Sequence, residues 1–210
     1  MRKIIIFFIA IFSVFAVAFQ FKLMLENSVQ SLLETIVRFL SYFTILTNSI
    51  VAVYFLGIGY KEIVKKLPSR INFDTMTAIT VYITIVGLVY QVMLRHTWNP
   101  TGLQKIVDEL LHSVNPLLVI AFWFLNLKND VLSYKAISRW LLYPLLYLIY
   151  VLIRGLFSGF FPYPFLDMTA IGFSRVIQNC VVITILFLMI AAVFVRLSRR
   201  QSAMKSSGDK

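Results

Sequence analysis

The chain has 210 residues, of which 60% are hydrophobic and only 14% charged, with a formal net charge of +11. That much apolar surface excludes an ordinary water-soluble domain, and the apolar residues come in runs long enough to cross a bilayer. A basic excess would point to nucleic acid in a soluble protein; here Lys and Arg stand in short stretches between apolar runs, the pattern of membrane topology and anionic-lipid contact.

Met1-Arg2-Lys3 followed by IIIFFIAIFSVFAVAF begins like a signal peptide. The apolar stretch is too long, and no small-residue cleavage site precedes Gln20 and Lys22, so it reads as an uncleaved first span from Ile4 to Leu25. Five more spans follow, at Phe39 to Ile58, Thr75 to Leu94, Leu110 to Leu127, Trp140 to Phe157 and Ala170 to Val195. Linkers between them are short. The expected fold is therefore all-α: a polytopic membrane bundle of six transmembrane helices over residues 1–197, with a basic, disordered tail over 198–210. No internal repeat is strong enough to suggest an inverted-repeat transporter.

Arg2 and Lys3, then Lys61, Lys65, Lys66 and Arg70, then Lys128, Lys135 and Arg139, then Arg196, Arg199 and Arg200 fall on one side of that topology. The opposite loops are sparser and balanced. The positive-inside rule then puts both termini in the cytoplasm of a cell (plasma) membrane.

With this orientation the awkward polar residues share the outer leaflet. His112 opens the fourth apolar run, and an ionisable group at membrane depth is costly enough to mark a functional site. Asp108 precedes it by one helical turn, close enough to hold one imidazole nitrogen and set the tautomer. Asn115 lies one turn further. Ser41, Thr44 and Asn48 stand at i, i+3 and i+7, on one stripe of a continuous helix. Arg154 falls in the outer part of the fifth span, and Arg175, Gln178 and Asn179 share a face near the start of the sixth. The connection RGLFSGFFPYPFLDM, stiffened by Pro162 and Pro164, reads as a lid with Tyr163 and Asp167 turned toward the polar cluster.

Each of these has a plainer reading. Hydroxyls in membrane helices usually bond the carbonyl four residues back, arginines snorkel to headgroups, and Asp108 and Glu109 suit a helix start. Taken together, a hydroxyl beside an imidazole is the minimum for nucleophilic acyl transfer. A carboxylate behind the imidazole would orient it, and Asn48, Asn115 or Arg154 could stabilise an oxyanion. Other chemistries fit less well. The two histidines, His96 and His112, cannot make paired bis-histidine haem sites, no metal-ligand spacing is present, and there is no Gly-rich phosphate loop or nucleic-acid patch. Neither metal nor other cofactor is expected. Cys180, the single cysteine, reads as inert packing.

SYFTILTN at 41–48, LLHSVNPLL at 110–118, YPLLYLIYVLIRG at 143–155 and FPYPFLDM at 161–168 together resemble bacterial six-span "Pr-six-Pr" membrane proteins. That group in turn is distantly similar to the androgen-induced, FAR-type proteins of animals, which include membrane hydrolases of fatty acid esters of hydroxy fatty acids. The resemblance implies an intramembrane threonine and histidine. The histidine falls on His112, and the hydroxyl on Ser41, after Arg38-Phe39-Leu40, or on Thr44, which keeps the residue type. Phe122, ahead of Trp123, departs from the acid that the resemblance would place there.

Two functions follow as expectations. The first is a lipid-ester hydrolase with Ser41 or Thr44 as nucleophile and His112 as base, supported by Asn48, Asn115, Asp108, Arg154, Tyr163, Asp167, Arg175 and Asn179. The alternative is a non-enzymatic lipid or small-molecule binder or transporter using the same cluster. Membrane lipids and a fatty-acid-ester ligand are the expected partners, and no nucleic acid.

Overall fold

A computed structural model of the protein describes residues 2–64, 71–127 and 131–208 and divides into two compact units, Met1–Asn126 and Leu127–Lys210. Lys65, Lys66, Arg70 and Lys128, which enter the topology argument, lie outside the described residues. Among the described residues every regular element is helical. Six helices are long and apolar enough to cross a membrane: Arg2–Asn27, Phe43–Glu62, Phe73–Leu94, Gly102–Leu125, Ala136–Ser158 and Phe173–Gln201. They mark a multi-pass membrane protein.

In the first unit, α1 (Arg2–Asn27) packs against α3 (Phe43–Gly59) and α6 (Asn115–Leu125), while α4 (Phe73–Val89) packs against α3 and α6. The four spans thus form one packed cluster, with the second and fourth also meeting directly, as where the Phe55 and Phe122 rings meet edge to face. Ile6, Ile9, Ser13 and Ala16 form the buried stripe of α1, at the three- and four-residue spacing of one helical face. Lipid tails are as apolar as leucine, so burial against a neighbour gains little over burial in lipid, and close packing and hydrogen bonds hold such helices together. The chain supplies both. Thr77, Thr80 and Thr84 on α4 return their hydroxyls to the carbonyls of Phe73, Met76 and Thr80 at 2.7, 2.8 and 2.6 Å. Trp123, fully buried, donates its indole N–H to the Thr77 hydroxyl at 2.8 Å and stacks on Phe73. Outward faces carry exposed Phe7, Val53, Leu117 and Leu125, as expected where the solvent is lipid.

The second span begins later than the sequence suggests. A short helix, α2 (Leu32–Leu40), is capped by Ser31, whose hydroxyl accepts the Glu34 N–H. It ends at Ser41, and Tyr42 is extended (φ −85°, ψ 122°) before α3 starts at Phe43. The fourth span is also interrupted. α5 (Gly102–Glu109) passes through a π-helical turn, Leu110–Val114, into α6. Pro116 explains the wide turn: its ring would clash with the carbonyl four residues back, that of His112, and it has no N–H to offer it. A second π turn, Tyr90–Leu94, ends α4.

In the second unit, α7 (Ala136–Ser158) contains Pro144 and stops at Gly159, whose φ of 67° supplies the left-handed cap. The Phe161 ring lies directly on Gly155, where no side chain would fit. A 3-10 turn at Pro164–Leu166 and the four-residue α8 (Met168–Ile171) lead into α9 (Phe173–Gly208). With no glycine or proline between Phe173 and Gly208, α9 has nothing in its interior to break it.

Candidate active site at one end of the first unit

The break at Ser41–Tyr42 decides which hydroxyl is presented. Ser41 caps the end of α2 and donates its hydroxyl to the Val37 carbonyl at 2.7 Å, a local back-bond. The three-residue stripe expected of Ser41, Thr44 and Asn48 therefore loses its first member, because the helix does not run through it. Thr44 stands in the first turn of α3, buried, with Oγ1 3.3 Å from Nε2 of His112.

His112 occupies the π turn between α5 and α6 and keeps 12% of its side chain exposed. Its Nδ1 is 2.9 Å from the Asp108 carbonyl oxygen and 3.3 Å from Oδ1 of the Asp108 carboxylate. Both are acceptors, the pair that an imidazole proton on Nδ1 would satisfy. In that tautomer Nε2 would keep its lone pair and accept from the Thr44 hydroxyl. That is the direction general-base activation of a hydroxyl requires.

Tyr90, buried at the end of α4, stacks on the imidazole with centroids 4.0 Å apart and planes 15° from parallel. Its hydroxyl donates to Oδ2 of Asp108. Nothing in the sequence flags Tyr90, which lies 18 residues from Asp108 and resembles the aromatic residues common at membrane interfaces. The approach of α4 to this turn depends on Gly87. A Cβ there would lie 3.2 Å from the His112 carbonyl oxygen and 3.2 Å from Cβ of Pro116, tighter than ordinary contact.

Asn48 and Asn115 link the second and fourth helices. Asn48 donates to the carbonyls of Thr44 (2.9 Å) and Leu111 (3.2 Å), and Asn115 donates to Oδ1 of Asn48 at 2.9 Å. Beside these residues a second network joins the third and fourth spans. Arg95 pairs with Glu109 at 2.5 Å, Ser113 donates to Glu109 at 2.6 Å, and Gln91 donates to Ser113 at 2.9 Å. Glu109 is thus engaged separately from Asp108.

Arg154, Tyr163, Asp167, Arg175 and Asn179 belong to the second unit. Arg154 donates to Ser158 at 3.3 Å and lies over the Phe160 ring. Tyr163 stacks on Phe165, and Asn179 donates to the Phe165 carbonyl at 2.9 Å, tying the connection to α9. Arg175 is exposed. Asp167 caps α8 within this unit. Its Oδ1 accepts from the Thr169 hydroxyl and from the N–H groups of Thr169 and Ala170 at 2.6, 2.9 and 3.1 Å. The Thr169 hydroxyl first, and the two backbone donors with it, hold this carboxyl below the usual carboxylate range. Among the described residues no three His, Cys, Asp or Glu side chains gather as a metal site would require.

Comparison with protein-family models, curated proteins and solved structures returns no match.

Proposed function

We propose that the protein is an intramembrane hydrolase of lipid esters, with Thr44 as nucleophile, His112 as general base and Asp108 as the group that orients the imidazole. The contact of Thr44 Oγ1 with Nε2 of His112, opposite an Nδ1 that bonds the Asp108 carbonyl and lies 3.3 Å from Oδ1 of its carboxylate, carries this reading. Thr44 Oγ1 attacks the ester carbonyl as its proton passes to Nε2, and the imidazolium is stabilised by the Asp108 carboxylate. Nε2 then returns the proton to the departing alcohol, leaving an acyl-threonine. Water attacks that ester, again losing a proton to Nε2, and the fatty acid leaves as the Thr44 oxygen recovers it.

The oxyanion would form at the start of α3, where the helix dipole favours negative charge. This replaces Asn48 and Asn115 as donors, since their amides are committed elsewhere. Asp108 and the Thr44 end of α3 lie at the opposite end of the unit from the Arg2–Glu62 ion pair. The positive-inside orientation would then open the site to the outer leaflet of the plasma membrane, with both termini cytoplasmic. The likeness of SYFTILTN and LLHSVNPLL to bacterial Pr-six-Pr proteins, and through them to FAR-type hydrolases, supports fatty acid esters of hydroxy fatty acids as substrates.

The test is hydrolysis of such esters by the purified full chain in lipid nanodiscs, with His112→Gln as the control. Turnover lost in the variant supports the reading. Ester binding without turnover by the wild type would assign the cluster to recognition instead.

A further inference from the structure

The Tyr90 side chain touches both His112 and Asp108. It is 4% exposed, and it stands where α4 gives way to the Tyr90–Leu94 π turn. Asp108 presents Oδ1 to His112 and Oδ2 to the Tyr90 hydroxyl, so its carboxylate is bound at both oxygens. The tyrosine ring lies flat against the imidazole that the same carboxylate serves. Behind it, the Arg95 guanidinium sits 5.9 Å from the ring centroid and is itself held by Glu109.

We infer that Tyr90 is the positioning residue of this relay, clamping the Asp108 carboxylate and the His112 ring so that the proton stays on Nδ1 and Nε2 faces Thr44. The last torsion of histidine is broad, so packing must fix the ring angle. A parallel aromatic plane does so, whereas a branched aliphatic chain would leave the ring free to turn. The phenolic donor does the same for the carboxylate, whose rotation would withdraw Oδ1 from Nδ1. Two π turns, one carrying Tyr90 and the other His112, bring the rings to one level, and such turns are frequent at functional sites. For its effect on rate the inference rests on the hydrolase reading; for its effect on the histidine it does not.

The chain contains only two histidines, His96 and His112, so nitrogen-15 labelling of histidine in the purified full chain reads His112 once His96→Gln has removed the other signal. The parent should show the Nδ1–H tautomer. Tyr90→Phe keeps the ring and removes the donor, and should give mixed tautomers. Tyr90→Leu removes both and should add broadening from ring motion. In ester hydrolysis Tyr90→Phe should lower kcat about tenfold, the scale of one hydrogen bond to a charged group, with KM unchanged. Retention of the parent tautomer in both variants would overturn the inference, as would a loss confined to KM. A tautomer shift in a protein with no ester turnover would support Tyr90's role while counting against the hydrolase.

Discussion

Replacing Thr44 by Val, set beside Ser41→Ala, separates the two hydroxyls by consequence. Thr44→Val keeps a branched side chain at a buried position and removes only Oγ1, leaving Nε2 of His112 without that donor. A hydrogen bond of this kind contributes about 0.5–1.5 kcal/mol, and a buried group left unsatisfied costs about 1–3 kcal/mol, so the variant should fold with a modestly lower midpoint. Its chemistry should be lost altogether, because no other group supplies the acyl acceptor. Thr44→Ser should retain turnover, since the hydroxyl and its proton path survive. Ser41→Ala removes a back-bond to Val37 and should cost about 1 kcal/mol of stability with the rate per folded molecule unchanged. The assay is ester hydrolysis in nanodiscs, normalised to folded protein by size-exclusion chromatography. Turnover retained by Thr44→Val and lost in Ser41→Ala would refute the assignment.

Asp108→Asn should lower kcat by about 10²–10⁴, the range for impaired general-base catalysis, because the amide no longer stabilises the imidazolium; steady-state kinetics read the loss, and an unchanged kcat would contradict the orienting role. Gly87→Ala places a methyl 3.2 Å from the His112 carbonyl and Pro116, and overpacking of that kind should cost about 1–3 kcal/mol, read as a lower thermal midpoint and a lower kcat. At Asp167 the folded-state pKa lies below the unfolded one. Its capping contribution is therefore full above the ordinary carboxylate value and fades as pH falls through the lowered one. Hydrogen exchange at the Thr169 and Ala170 amides should accelerate over that acid window, and Asp167→Ala should show the fast exchange at every pH.

The six spans were legible because runs of about twenty apolar residues leave few alternatives in a membrane. Asp108 and His112 were legible as a pair because four-residue spacing is local and survives the change from α to π geometry. The choice between Ser41 and Thr44 was not, since the helix break between Ser41 and Phe43 carries neither glycine nor proline and reads as continuous pattern. Tyr90 was hidden because its contacts depend on how two spans meet, which no spacing within one helix reveals. Asn48 and Asn115 were found as polar residues on facing spans, but their partners, backbone carbonyls and each other, follow from helix packing. The capping role of Asp167 was not legible, because an acid three residues before Ala170 suits a helix cap and a polar site alike, and its backbone bonds appear only in the fold.

The most direct measurement is covalent trapping of the nucleophile with a fluorophosphonate, followed by peptide mass spectrometry of the full-length protein. The account predicts an adduct on Thr44, retained in Ser41→Ala and absent from His112→Gln. An adduct on Ser41, or one on Thr44 that persists without His112, would contradict it.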